Sequence, residues 1–130
     1  ASLIDVPPTL LECAGIPVPE RFDGMSLASL AADGSPAKRE AVYLQISESQ
    51  TGRAIRTMKW KYAVTARNTG EAFSPSYRED FLYDLENDPH EKSNLVADPA
   101  LAEVRQQLRA VLLKQMEQAS EPPAEIVPAE

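Results

Sequence analysis

The sequence has few of the residues that build disulfides, metal sites and nucleophilic sites: one cysteine, Cys13, and one histidine, His90. A single cysteine excludes a disulfide within the chain, and a single histidine excludes a histidine pair built from this chain alone. No apolar run is long enough to span a membrane. The first residues lack both the basic start and the long apolar stretch of a signal peptide. No signal peptide or membrane span is therefore predicted, and the compartment stays undetermined.

Basic charge is also scarce, with 13 Lys and Arg against 20 Asp and Glu and a net charge of −7. This balance argues against nucleic acid as a general partner, because binding to phosphates depends on basic patches. The 130 residues, 43% hydrophobic and 25% charged, suit one globular domain with a modest core.

Four stretches have the aromatic, branched or alternating residues of strands: 41–47, 53–57, 60–65 and 81–85. Asp98 and Pro99 are typical of a helix start. Apolar residues then recur at helical spacing on one face: Leu101, Val104, Leu108, Val111, Leu112 and Met116. We predict an α+β fold, an antiparallel sheet of about four strands with a long C-terminal helix packed on one face.

The two ends of the chain differ from this middle part. Asp5 is a candidate N-cap of a short helix that Gly15 ends in a left-handed conformation. The start resembles a segment cut from a larger domain, so residues 1–34 are interpreted as a domain end plus linker, and residues 35–118 as the main subdomain. Residues 119–130, rich in proline and glutamate, are predicted to be a disordered tail.

Three motifs in order resemble one family. They are D-V-x-P-T-L-L-x-x-A-G-I-P at Asp5–Pro17 with D-G-M-S-L at Asp23–Leu27, R-A-I-R-T-M-K-W-K-Y at Arg53–Tyr62, and L-Y-D-L-E-N-D-P-x-E-x-x-N-L at Leu82–Leu95. Together they resemble the C-terminal region of type I sulfatases, of the alkaline phosphatase superfamily. The resemblance implies a parent that hydrolyses sulfate esters of small sulfated substrates, using calcium and a formylglycine nucleophile. Residues 1–34 would then end its catalytic domain, and that catalytic domain would be the partner of this chain.

Cys13 does not match the motif from which the family's formylglycine is made, C/S-x-P-x-R. Proline is not two residues on and arginine is not four residues on. We therefore expect Cys13 to be a small buried side chain on a short helix. No catalytic residue and no metal ligand is assigned in this chain, and by itself it is predicted to be inactive.

The basic residues concentrate in one hairpin: Arg53, Arg56, Lys59 and Lys61. Guanidinium groups suit sulfate oxygens, and the resemblance places such a subdomain beside the active-site cleft. Arg53, Arg56 and His90 are therefore candidates for the substrate rim. The alternative is that Arg56 and Lys61 pair with acids such as Asp84 and Glu86 across the sheet, and His90 is a solvent-facing turn residue.

Two further hypotheses stay open. The chain could be a stand-alone binding or assembly module that docks through its sheet or helix. It could also be a fragment of a phosphonate or phosphate monoester hydrolase, because related enzymes share the architecture and the motifs present do not distinguish sulfate from phosphate.

Overall fold

The computed structural model of the protein describes residues 2–33, 39–67 and 71–129, without the side chains of residues 29, 30 and 33. The chain forms two compact units, Ala1–Val42 and Tyr43–Glu130. The boundary predicted after residue 34 lies outside the described residues. Among the helices that are described, none is both long and apolar enough to cross a membrane.

The first unit contains short helices: a 3-10 turn at Leu3–Asp5, then α1 at Val6–Cys13 and α2 at Ala28–Asp33. Prolines suit the first turn of α1 because the N–H groups they lack have no partner within the helix. The helix ends at Cys13, and Gly15 follows in the predicted left-handed conformation, with a φ of +70°. Asp5 stands at the N-cap position but makes no side-chain cap to α1, because its carboxylate is bound elsewhere.

The second unit is built on a five-stranded sheet in the order β1 to β5: Val42–Ser47, Thr51–Arg56, Trp60–Thr65, Ser76–Asp84 and Glu125–Val127. The pairs β2–β3 and β3–β4 are antiparallel, and Ile55, Tyr62 and Leu82 are aligned across them. β5 is parallel to β4. The predicted α+β class is confirmed, with a fifth strand added to the expected four.

One face of the sheet is covered by α3 at Ala102–Gln118, which a 3-10 turn at Pro99–Leu101 precedes. The Asp98 carboxylate accepts a hydrogen bond from the Ala100 N–H at 2.9 Å, so the predicted cap is present. Helical periodicity and strand alternation bring buried apolar side chains together here: Ile55, Tyr62, Val64, Tyr77, Leu82, Leu108, Leu112 and Met116. This layer is the core of the second unit.

Two predictions about the chain outside this core are corrected. β4 begins at Ser76 rather than at residue 81, because Tyr77 is buried and anchors the strand's start. Within the tail that was predicted to be disordered, Glu125–Val127 forms the strand β5: Glu125 N–H donates to Pro75 O at 2.9 Å, and Ile126 is buried. A three-residue strand among prolines carries too little local pattern to be recognised without the β4 edge on which it pairs.

Candidate functional site

Arg53, the first rim candidate, is buried inside the second unit and only 2% exposed. Its Nε lies 2.8 Å from both carboxylate oxygens of Glu121. Its two terminal nitrogens donate to backbone carbonyls: those of Ile46, Gly52 and Ala72. All three guanidinium nitrogens are therefore bound within the chain.

Glu121 collects donors from two strands. Besides Arg53, it accepts hydrogen bonds from the Tyr43 hydroxyl and the Gln45 side-chain amide. Burial, together with the neighbouring Glu121 carboxylate, raises the pKa of Tyr43 well above its ordinary range. The ion pair is buried on both sides, so the attraction is little screened and each charge depends on the other. This network ties Glu121, three residues after the end of α3, to β1 and β2.

Arg56, the second candidate, is on the opposite face of β2 and its side chain is 51% exposed. Its Nη1 lies 3.2 Å from a Glu91 oxygen, and the Lys61 ammonium pairs with the other oxygen of the same carboxylate. Lys59 lies 3.3 Å from Glu86. These cations of the hairpin are thus paired with acids, as the alternative interpretation expected. The acid that pairs with Arg56 and Lys61 is Glu91, however, and not Asp84 or Glu86.

His90, the third candidate, is exposed in the turn that follows β4. Its neighbour Glu91 is the ion-pair partner of Arg56, so Arg56 and His90 lie near the same turn. Arg53 is separate from them, in the interior. Glu91 itself has a φ of +53°, a left-handed conformation that is uncommon for a residue with a side chain.

The polar residues around this turn are held by local hydrogen bonds. The Asp84 carboxylate accepts from the N–H groups of Glu86 and Asn87 at 3.1 and 3.2 Å and from the Asn87 amide at 2.9 Å. The Asn87 hydrogen bond is the main reason that the pKa of Asp84 is lowered. Asn94 then fastens the return segment to β4, accepting from Leu82 N–H at 3.0 Å and donating to Asp80 O at 2.8 Å. The motif at Leu82–Leu95 therefore encodes a turn that is closed by side-chain hydrogen bonds.

A second buried carboxylate, Glu79 on β4, lies under α3. It accepts from the Tyr62 hydroxyl at 2.9 Å and from Arg109 at 2.8 Å, and Arg105 lies 3.4 Å away. Burial by itself would raise the pKa of Glu79, but these hydrogen bonds, with Arg109 foremost, lower it overall. The burial of Glu79 was not predicted from the sequence. The available signal was its position two residues after Tyr77, which places both side chains on the same face of β4.

The first unit has its own buried carboxylate, Asp5. Its two oxygens lie 2.8 and 2.9 Å from the Arg39 guanidinium, and they also accept the N–H groups of Ser2 at 2.7 Å and Met25 at 3.0 Å. Burial opposes ionisation, but the hydrogen bonds from Met25 and Ser2 and the charge of Arg39 lower the pKa of Asp5 overall. Gly24 is required beside it, because a Cβ there would lie 1.8 Å from Ile4 O.

Cys13 lies at the end of α1 and is exposed, which corrects the expectation of a buried side chain. Within residues 2–33, 39–67 and 71–129, no group of three or more His, Cys, Asp or Glu side chains is arranged to hold a metal ion. The described residues therefore assemble charge pairs and a hydrogen-bonded turn.

Comparison with known proteins shows which family the chain resembles. The family model described as N-sulphoglucosamine sulphohydrolase, C-terminal, matches residues 1–118. The chain is 32% identical over 117 residues to the Delta 4,5-hexuronate-2-O-sulfatase of Bacteroides thetaiotaomicron, covering 84% of this chain and 22% of that protein. It is 32% identical over 104 residues to Arylsulfatase K of Homo sapiens, covering 72% of this chain and 18% of that one. The chain thus spans about a fifth of the length of these relatives.

Solved structures share the fold. One, determined in complex with D-glucosamine-2-N,6-O-disulfate, superposes with a TM-score of 0.75 at 26% identity, over 89% of this chain and 24% of that one. The phosphonate monoester hydrolase of Agrobacterium radiobacter gives 0.66 at 27% identity, over 88% and 24%. Because the family model extends over 118 of the 130 residues, the chain belongs to the N-sulphoglucosamine sulphohydrolase C-terminal family of the sulfatases.

Proposed function

We propose that the protein to which this chain belongs hydrolyses a sulfate ester, and that this chain supplies its non-catalytic C-terminal portion. The observation that carries the proposal is the family match over residues 1–118, in a chain that covers only 22% of a sulfatase relative. The match favours this function over a stand-alone binding or assembly module.

We also propose that the parent uses calcium and a formylglycine nucleophile, both held outside this chain. The residues present do not fit either group. The described side chains form no cluster of three metal-ligating groups, and Cys13 lacks the proline and arginine of the C/S-x-P-x-R motif. No step of the reaction is therefore assigned to residues of this chain.

We propose that Arg56 on β2 and His90 in the turn after β4 lie at the rim of the substrate cleft. Arg56 is half exposed and its guanidinium presents donors suited to sulfate oxygens, and His90 is exposed beside Glu91. The contacts of Arg53 favour a structural role for it, since its nitrogens are bound to Glu121 and to backbone carbonyls. The rim proposal therefore rests on Arg56 and His90.

A second candidate reaction is hydrolysis of phosphonate or phosphate monoesters, favoured by the similarity to the Agrobacterium radiobacter hydrolase. The experiment is an assay of the full-length parent against matched aryl esters: a sulfate, a phosphate and a phosphonate monoester. Preferential turnover of the sulfate supports the first proposal. Preferential turnover of a phosphorus ester replaces it with the second, and turnover of none contradicts both.

A further inference from the structure

Two cations lie directly opposite each other on neighbouring strands of the sheet. Arg56 on β2 is paired in the register with Lys61 on β3, so both side chains leave the sheet on the same face. Like charges in this arrangement repel each other. One carboxylate offsets the repulsion, because Glu91 presents Oε1 to Arg56 at 3.2 Å and Oε2 to the Lys61 ammonium. A residue of the turn after β4 therefore bridges two neighbouring strands.

Glu91 reaches these strands from a backbone conformation that is uncommon for its residue type. Its φ of +53° is in the left-handed region, where Asn, Asp and His are the side chains most often found. The turn fixes the backbone on both sides: Glu91 N–H donates to Asp88 O at 3.1 Å, and Ser93 N–H donates to the Asp88 carboxylate at 2.8 Å. Backbone strain that is fixed in this way is concentrated at active sites and ligand clamps.

The two cations are held unequally. Lys61 has contacts on two sides, since its Nζ lies 5.8 Å from the centroid of the Tyr83 ring and also pairs with Glu91. Arg56 is half exposed and uses Nη1 for Glu91. In the part of the chain that the structure describes, Nε and Nη2 of Arg56 donate to no acceptor. These two nitrogens form one edge of the planar guanidinium, which suits two oxygens of one sulfate or carboxylate.

We infer that Glu91 is a positioning residue: it holds Arg56 so that the Nε–Nη2 edge of the guanidinium binds an anionic group of the substrate, separate from the ester that is hydrolysed. The inference rests on the proposed function, in which Arg56 lies at the rim of the substrate cleft. Both oxygens of Glu91 are engaged with the two cations, so Glu91 itself does not contact the substrate. An arginine that is already fixed loses less conformational freedom when the substrate binds.

The test is steady-state kinetics of the full-length parent on two probes, phenyl sulfate and the same ester carrying a carboxylate on a short flexible spacer. Arg56→Gln is expected to raise KM for the carboxylated ester by about three- to fivefold, the effect of an exposed charged contact. Glu91→Gly should raise it by the same factor. The double variant should be no worse than Arg56→Gln alone, because the two residues act through one contact. kcat, and KM for phenyl sulfate, should stay unchanged.

Glycine at position 91 separates positioning from folding. It adopts the left-handed conformation readily, so the turn is kept while the carboxylate is removed. The matched control is Ser120→Gly, at the other non-glycine residue of the described chain with a positive φ, +57°. This variant relieves the same backbone strain and should leave KM unchanged. Glu91→Asn is a second variant if Glu91→Gly fails to fold, since asparagine also tolerates this conformation, and its shorter side chain has no charge.

Three results overturn the inference while the parent still hydrolyses sulfate esters. One is an unchanged KM for the carboxylated ester in the Glu91 variants. Another is a double variant whose KM rises by the product of the two single changes, since Glu91 then acts apart from Arg56. The third is an equal rise in KM for both probes, which is a general disturbance of the cleft.

The proposed function fails in a different way, by turnover of a matched phosphate or phosphonate monoester in place of the sulfate. The same variants are then measured on that ester with and without the carboxylated spacer, and the same KM pattern supports the positioning role of Glu91. A parent that hydrolyses none of these esters removes the function and the inference together.

Discussion

The two units of the chain each enclose a carboxylate, but they differ in the apolar burial that accompanies it. In the first unit Asp5 is 1% exposed while Leu3 and Leu10 nearby are 87% and 65% exposed. In the second, Glu79 and Glu121 lie beside a continuous apolar layer between the sheet and α3. Polar contacts therefore hold the first unit together, whereas in the second they are added to a hydrophobic core.

The difference shows what a buried carboxylate does in each setting. Asp5 gathers the N–H groups of Ser2 and Met25 and the Arg39 guanidinium, so it determines the path of a segment that has little core. Glu121 fastens the end of the chain to strands whose association already follows from apolar burial. Loss of Asp5 should have a local effect, and loss of Glu121 should affect the whole second unit.

The largest expected effect is that of Glu121→Ala. Removing the carboxylate leaves Arg53 buried without its counter-charge, which costs about 3–5 kcal/mol. Urea unfolding of the chain measures this as a lower midpoint, and Glu103→Ala, on the exposed face of α3, is the control that should change stability by about 0.5 kcal/mol or less. A midpoint shared by both variants would show that the ion pair is dispensable.

The same network can be replaced as well as broken. Arg53→Met combined with Glu121→Leu should recover much of the stability lost in Glu121→Ala, because apolar residues of similar volume need no counter-charge. A double variant less stable than Glu121→Ala would indicate that the pair contributes more than charge compensation.

Glu79→Gln is expected to cost about 2–3 kcal/mol at neutral pH, since Arg109 and Arg105 lose their charged acceptor. The pH dependence has a definite sign. Because the pKa of Glu79 is lowered in the folded state, its stabilisation is complete above the unfolded pKa of about 4.3. It is lost as the pH falls below that value and through the lower folded pKa.

The measurement is urea unfolding of the chain across that pH range. Glu79→Gln should flatten the acid side of the stability curve, whereas Glu86→Gln, at an exposed ion pair, should leave its slope nearly unchanged. If the free energy of unfolding depends on acidic pH in the same way in Glu79→Gln and in the unmutated chain, Glu79 is not a source of that dependence.

Asp5→Asn tests the first unit at nearly constant side-chain volume. It weakens the acceptor of the Met25 N–H and removes the counter-charge of Arg39, at a cost of about 1–3 kcal/mol. Amide hydrogen exchange at Met25 should accelerate by about tenfold or more, while buried amides of β3 keep their rates. Glu12→Gln on exposed α1 is the control, and unchanged exchange at Met25 in Asp5→Asn would contradict the role given to Asp5.

The smallest effect on stability is expected from Arg56→Gln, since exposed pairs contribute about 0–1 kcal/mol. The proposed rim role predicts instead a higher KM for a sulfated substrate in the parent. Lys59→Gln, which removes the exposed pair with Glu86, is the matched control and should leave KM unchanged. If both variants keep the original KM, Arg56 is only a surface ion-pair partner.

Local patterns predicted some elements well. The helix α3 was recognisable because its cap at Asp98 and its apolar spacing are both contained in one short stretch. The left-handed end of α1 at Gly15 was recognisable for the same reason. In contrast, β5 and the burial of Glu121 were missed, because each depends on a partner elsewhere: Pro75 for the strand and Arg53 for the carboxylate.

The candidate site divides in the same way. Basic residues on the hairpin were visible in the sequence, but the face of the sheet on which each lies follows from the register of β2 and β3. Alternation along β2 turns Arg53 into the core and Arg56 outward. Two arginines that were both predicted to lie at the substrate rim are therefore in opposite environments, one buried and one exposed. The exposure of Cys13 was predicted wrongly, because helix periodicity alone does not say which side of α1 is covered.

The sequence by itself determined the family, the α+β class, the Asp98 cap and the turn within Leu82–Leu95, since these depend on residues that are neighbours along the chain. The tertiary structure alone decided which charges are buried and that Glu125–Val127 joins the sheet. Those features depend on pairings between residues far apart in sequence, such as Arg53 with Glu121 and Tyr62 with Glu79. Such pairings become defined only when strands and helix have packed around one core.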